Sequence, residues 1–202
     1  MKKKLLVGVA PLLAVASFAI APAAAQAEPH WYIKNVLVGS TPTTIATSGA
    51  LTLNVLGATI KCKVTDAEEI WNPAGGGAGV DVMTAFVLTK CKNKVASPPC
   101  PKGPITVNAE GLQWPSRLYS EPAPSTVIRD EIVKVRLWVG CAGSSGTVGD
   151  EFEGSLSPEV VVGGLNFGPG SGSLEDAFSN PLTVTGVDKL KATKGKVTAK
   201  DP

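Results

Sequence analysis

The chain has one histidine, two methionines and two tyrosines in 202 residues, and aromatic side chains make up only 5% of it. A single imidazole leaves almost nothing from which to build a Ser–His–Asp triad or a histidine-based metal site. That residue is His30, three positions beyond the cleavage point argued below, and chain ends are poor platforms for positioned catalysis. No G-x-S-x-G, S-x-x-K, H-E-x-x-H or G-K-[ST] sequence occurs. Sustained 3.6-residue periodicity is also missing, and 22 Gly with 16 Pro speak against a helical domain. Charged residues are scarce at 18%, but 44% of the chain is apolar, enough to form a core rather than remain disordered.

Long apolar runs are absent after residue 27, so no later segment reads as a membrane span. The N-terminus is different. Lys2, Lys3 and Lys4 precede an apolar stretch from Leu5 to Ile20, and Ala25-Gln26-Ala27 supplies small residues two apart. This three-part pattern predicts a secretory signal peptide over 1–27, cleaved after Ala27. Gly8 and Pro11 interrupt the stretch and argue against a retained anchor, and no cysteine lies near the cleavage point to carry a lipid. The expected product is a secreted chain, extracellular or in the cell envelope, with no integral membrane segment. Residues 28–202 carry 16 bases and 17 acids, so the formal +2 belongs to the precursor. Without a basic excess, binding of nucleic acid or an anionic membrane is not expected. Lys189, Lys191, Lys194, Lys196 and Lys200, with Asp188 and Asp201 among them, read as a solvated final hairpin.

Four cysteines, Cys62, Cys91, Cys100 and Cys141, are an even number in an exported chain and predict two disulfides. No C-x-x-C pair occurs, so zinc is not expected. Strand parity puts Cys62 on one face with Ala58, Ile60 and Val64, and Cys141 with Val133, Val135, Leu137 and Val139. Two core-facing cysteines on distant strands favour Cys62–Cys141. That leaves Cys91–Cys100 to staple the Pro-rich loop; Cys62–Cys91 with Cys100–Cys141 is the alternative.

What is present is two-residue alternation. Strands are predicted at Tyr32–Val38, Leu51–Leu56, Thr59–Thr65, Val82–Thr89, Ile105–Asn108, Ile132–Val139, Glu151–Leu156, Val160–Val162, Gly172–Leu174, Leu182–Val187 and Lys196–Ala199. Single helical turns are the only helix expected, at Asp66–Ile70 or Leu174–Phe178. Turn residues fill the gaps, so the predicted fold is all-β: an antiparallel β-sandwich or a partly open barrel, disulfide-stapled. One domain over 28–202 is preferred, with a weak division near 115–124 as the alternative. Trp31 and Trp71 flank turns and read as plugs at the ends of the fold.

No catalytic residue, metal or cofactor is expected. The glycine run Gly75-Gly76-Gly77-Ala78-Gly79 precedes a strand rather than a helix and reads as a hairpin connection, not a phosphate cradle. Glu68/Glu69, Asp150/Glu151/Glu153 and Glu175/Asp176 are the candidate carboxylate pairs for a hydrolase, but neighbouring strand residues point to opposite faces. The segment Gly149–Gly154 lacks calcium-loop spacing. Trp138 shares its parity with Ile132, Lys134 and Arg136, opposite the Val133, Val135, Leu137 and Val139 face. That predicts a tryptophan on the sheet surface beside Arg136: the favoured reading is a ring covered by a loop or stacked against Arg136, the alternative a platform on which a sugar ring stacks.

Three stretches carry a resemblance. Thr47–Leu53 running into Ile60–Val64, Asn72–Gly79, and Gly111-Leu112-Gln113-Trp114-Pro115-Ser116 resemble a group of uncharacterised exported bacterial proteins rich in β-structure. The resemblance implies a β fold and brings no activity and no site residue. The leading expectation is a non-enzymatic binding or structural domain, its partner a cell-envelope glycan or another exported protein. A carbohydrate-binding module using Trp138 is the first alternative and a carboxylate hydrolase the second.

Overall fold

The computed structural model describes residues 28–95, 103–143, 146–192 and 195–202; the predicted signal peptide and Cys100 lie outside them. The elements are β1 His30–Ile33, β2 Val36–Leu37, β3 Thr43–Val55, β4 Ala58–Trp71, β5 Val80–Asn93, β6 Gly103–Pro104, β7 Thr106–Ala109 and β8 Trp114–Ser120. They continue with β9 Ile128–Gly143, β10 Gly146–Leu156, β11 Glu159–Val161, β12 Gly164–Phe167, β13 Ser173–Glu175, β14 Pro181–Ala192 and β15 Gly195–Lys200. All are strands, and they belong to one antiparallel sheet. The all-β expectation is met.

The sheet closes on itself. The hydrogen-bonded order β9–β8–β5–β4–β3–β14 is completed by β12, which pairs β14, and β11, which returns to β9 through Glu159 and Arg129. At the opposite end a second set of short strands closes the ring: β13 pairs β14, β10 pairs β13, and β10 runs the length of β9. Closure removes the open edges that an antiparallel sheet otherwise exposes. Beyond the ring, β15, β1 and β2 lie over one end. There Trp31 is fully buried, its backbone N–H donating to Asn72 Oδ1 at 2.8 Å, and Asn72 Nδ2 donates back to the Trp31 and Val38 carbonyls. A Cβ on Gly79 would come within 2.8 Å of the Trp31 ring, so only glycine fits beneath this plug. Trp71 ends β4 half-buried. The predicted strand Tyr32–Val38 is a hairpin instead, because Lys34 and Asn35 both take left-handed φ (51° and 65°), as a tight two-residue turn requires.

The interior is tightly filled. Leu51, Leu53, Phe86, Trp114, Leu137 and Phe167 surround a residual space of about 10 Å³, one water at most. Phe86 and Trp114 meet at 5.4 Å between ring centroids.

Three bulges shift the alternation. On β5, Thr84 is an extra residue between the Met83–Glu68 and Ala85–Ala67 pairs, and its hydroxyl donates to the Ala67 carbonyl at 3.0 Å. Farther along β5, Lys90 takes φ 53° where Lys61 faces Lys92 and Lys63 faces Thr89. On β9, Lys134 takes φ 60°, opposite the shift between Gly154 and Leu156. The last bulge corrects the expected parity. Ile132 points into the core at 2% exposure and Val133 is half-buried, whereas Val135, Leu137 and Val139 follow the expected face.

The Lys90 bulge also decides the disulfide. Two consecutive outward residues, Thr89 and Lys90, return Cys91 to the interior beside Cys62 on the adjacent strand, with 4.1 Å between Cα atoms. The bond is Cys62–Cys91, which corrects both the favoured Cys62–Cys141 and its companion Cys91–Cys100. Cys141 is buried and also disulfide-bonded. In the chain-entropy model, a loop of this size contributes roughly 3–4 kcal/mol.

Asp66–Ile70 is strand, not a helical turn. Its alternation holds, but two of the inward positions, Asp66 and Glu68, are acids. Leu174–Phe178 is the end of β13 followed by a turn in which Asp176 Oδ1 accepts from the Phe178 and Asn180 amides, both at 2.8 Å.

Candidate functional site

Two arrangements stand out, one inside the barrel and one on its wall. Inside, five carboxyls from four strands turn inward: Asp66 and Glu68 on β4, Asp81 on β5, Asp130 on β9 and Asp188 on β14, at 6%, 0%, 2%, 0% and 1% exposure. Ser116 of β8 and Thr47 of β3 join them, and Thr47 Oγ1 donates to Asp188 Oδ2 at 2.9 Å. Apolar residues two positions away on the same strands bound the layer, Ile70, Leu118, Ile128 and Leu190 on one side and Val64, Met83, Trp114 and Ile132 on the other. Asp66 lies beside Asp188 and Asp81 beside Asp130, with Glu68 feeling all four.

No arginine or lysine pairs with any of them among the described residues. Burial is therefore answered by protonation. Desolvation first, then the Asp188 charge, pushes Asp66 up to about 9. Glu68 and Asp81 are held well above the usual carboxylate range by the same desolvation, reinforced by neighbouring carboxylates. Desolvation raises Asp130 to about 6, opposed by the neighbouring Ser116 hydroxyl and Asp81 carboxyl. Desolvation raises Asp188 too, opposed by the neighbouring Asp66 carboxyl and by the hydrogen bond from Thr47, which favour its charged form. Each close pair thus shares its protons unequally. Among the described residues no group of three or more His, Cys, Asp or Glu side chains is arranged to hold a metal ion. Apolar layers flank these carboxyls on both sides.

The carboxylate pairs suggested by spacing fare differently. Glu68 points inward and Glu69 outward, as adjacent strand residues must. Glu151 and Glu153 are bound to Arg136, at 2.7 and 2.6 Å. Asp176 caps its own turn, and hydrogen bonds led by Asn180 lower its pKa. Sequence reading missed Asp66, Asp81, Asp130 and Asp188. The available signal was parity: Asp81 shares a face with Met83, Asp130 with Ile128 and Ile132, and Asp188 with Leu190.

The burial also revises the charge reading. The five carboxyls never reach the surface, which leaves twelve acids against fourteen bases elsewhere among the described residues.

On the wall, Trp138 projects outward from β9, as its parity predicted. It pairs Asn108 of β7 on one side and Glu151 of β10 on the other. Its six-membered ring lies over the cross-strand pair Gly140 and Gly149; an added Cβ would fall 2.2 Å from Trp138 Cη2 at the first and 2.6 Å from Cζ2 at the second. Two facing glycines, neither needing special φ, thus form a shallow bed that holds the ring against the sheet. The ring is half-buried. Among the described residues the cation seated over a ring is Lys200, on Tyr32, and not Arg136 on Trp138; the Arg136 guanidinium pairs with Glu151 and Glu153. An open groove of about 590 Å³ lies nearer the Lys134 bulge, lined by Lys134, Arg136, Glu153, Gly154 and Ser155 and not by Trp138. An aromatic face with a fixed ion-pair network and an exposed asparagine alongside offers stacking and hydrogen bonding to a polyhydroxylated ligand.

Comparison with known proteins finds no matching family model, no matching curated protein and no matching solved structure. The functional reading rests on the chain's own geometry.

Proposed function

We propose that this chain is exported and acts as a non-enzymatic binding domain, its ligand a carbohydrate stacked on Trp138. The observation that carries the reading is the Gly140–Gly149 bed, which seats the half-buried indole against the barrel wall. Support also comes by elimination. The interior is packed, and its carboxyls are sealed between apolar layers, so the hydrolase alternative gains nothing from them. A ring already held in place spends little conformational entropy on binding, which favours weak but specific stacking.

Pull-down or calorimetry against a panel of wall and exopolysaccharides tests this. Trp138→Ala should weaken binding by about tenfold, the equivalent of roughly 1.4 kcal/mol of lost stacking. Binding unchanged in that variant, or no binding to any member of the panel, overturns the reading.

A further inference from the structure

The wall that carries Trp138 continues into a second feature. Lys61 and Lys63 of β4, Lys90 and Lys92 of β5, and Lys94 just beyond are all exposed. None enters an ion pair among the described residues. Lys61 and Lys92 are direct cross-strand partners. Like charges facing each other across a ladder cost stability, so something other than folding accounts for their placement. The outward neighbours on β3 are Ala50, Thr52 and Asn54, opposite Lys63, Lys61 and Thr59, and bring no compensating acid.

The register joins this stripe to the indole. Lys92 pairs Pro104, and the Ile105 amide donates to the Cys91 carbonyl at 3.1 Å, which sets Thr106 level with Lys90. Thr106 in turn pairs Gly140, the residue under the Trp138 ring. One row therefore crosses three strands: indole on β9, Thr106 hydroxyl on β7, Lys90 ammonium on β5. Strand spacing puts the ring roughly 10 Å from Lys90, with Lys63 one strand farther. On the other flank Glu151 and Glu153 are held by Arg136, so the path for a negatively charged chain runs from the ring toward β5 and β4.

We infer that the ligand of this face is an acidic polysaccharide, one sugar ring stacked on Trp138 and its carboxylates meeting Lys90, Lys92, Lys61 and Lys63. The inference rests on the glycan reading and deepens it. A nucleic acid fits less well, since the lysine stripe has no aromatic side chain on which successive bases stack.

The purified protein is titrated with polygalacturonate, alginate and hyaluronate, and with fully methyl-esterified polygalacturonate as the neutral match, at about 50 and 200 mM salt. The acid polymer should bind about tenfold or more tighter than its ester at the lower salt, the gap closing at the higher one. The variant Lys61→Gln, Lys63→Gln, Lys90→Gln, Lys92→Gln should bring the acid polymer down to the ester's affinity while leaving the ester unchanged. Trp138→Ala should weaken both. These lysines are exposed, so their replacement leaves the fold intact, as circular dichroism would check. Acid and ester bound alike, or a silent quadruple variant, overturns the inference and leaves the Trp138 reading standing. Failure of every polymer, charged and neutral, overturns both. Inorganic polyphosphate or single-stranded DNA binding more tightly than any acidic glycan, insensitive to Trp138→Ala, makes the stripe a phosphate surface and overturns the inference as stated.

Discussion

Gly140 and Gly149 face each other across β9 and β10, and each is glycine for lack of room above it rather than for backbone freedom. Any side chain at Gly140 starts 2.2 Å from the Trp138 ring, so the indole must lift away from the sheet. Gly140→Ala is therefore expected to cost about 1–2 kcal/mol in overpacking, to shift part of the tryptophan emission to the red, and to reduce glycan affinity without unfolding the barrel. Emission and affinity that match the wild type would show that the bed does not position the ring. At this scale the sequence was legible on the outside and misleading on the inside. Parity placed Trp138 outward because its neighbours follow the rule that charged residues are wet. The same rule hid Asp66 and Asp81, which break it by being protonated. An acid on an apolar parity is the mark they leave, and it distinguishes Asp130, flanked by Ile128 and Ile132, from the surface acids of β10.

Among the elements, the alternation gave most strands and their faces but not the points where the faces change. Bulges are the reason. Lys90 and Lys134 hold left-handed backbone without being glycine, asparagine or aspartate, so no residue type announces them; parity favoured a bond between the distant core-facing Cys62 and Cys141, whereas Cys91 stands beside Cys62 on the adjacent strand. Their role can be tested through Cys91. Lys90→Val places a β-branched residue at φ 53°, which disfavours the bulge by roughly 1–2 kcal/mol and biases Cys91 toward the outer face. Non-reducing peptide mapping should recover less of the Cys62–Cys91 fragment from this variant, and all of it from Lys90→Gly. Deleting Lys90 should also preserve the bond, because Cys91 then follows Thr89 directly in a regular ladder and still turns inward. Loss of the bond in the deletion, together with full linkage in Lys90→Val, would show that the bulge does not orient Cys91.

For the whole molecule, closure of the sheet and the acid layer are linked. Closure buries five carboxyls inside the ring, so their charge state is coupled to folding itself. The sign follows from the direction of the shifts. Unfolded, these groups ionise near the ordinary carboxylate range around 4. Folded, Asp130 waits until about 6, Asp66 until about 9, and Glu68 and Asp81 stay well above their usual values. Between those limits the native state holds more protons than the unfolded chain. The stabilisation they give is complete below about 4 and is lost as pH rises through the folded values. Each proton retained only by the native state contributes a slope of about 1.4 kcal/mol per pH unit. Urea or thermal melts at pH 4.5, 6, 7.5 and 9 should thus show stability falling steadily toward alkali, the reverse of what paired surface carboxylates produce. Glu68→Gln, which keeps the shape and cannot ionise, should flatten the decline and leave acid stability close to wild type. A profile that rises from pH 4.5 to 7.5, or a decline equally steep in Glu68→Gln, would mean that the layer carries compensated charge rather than protons.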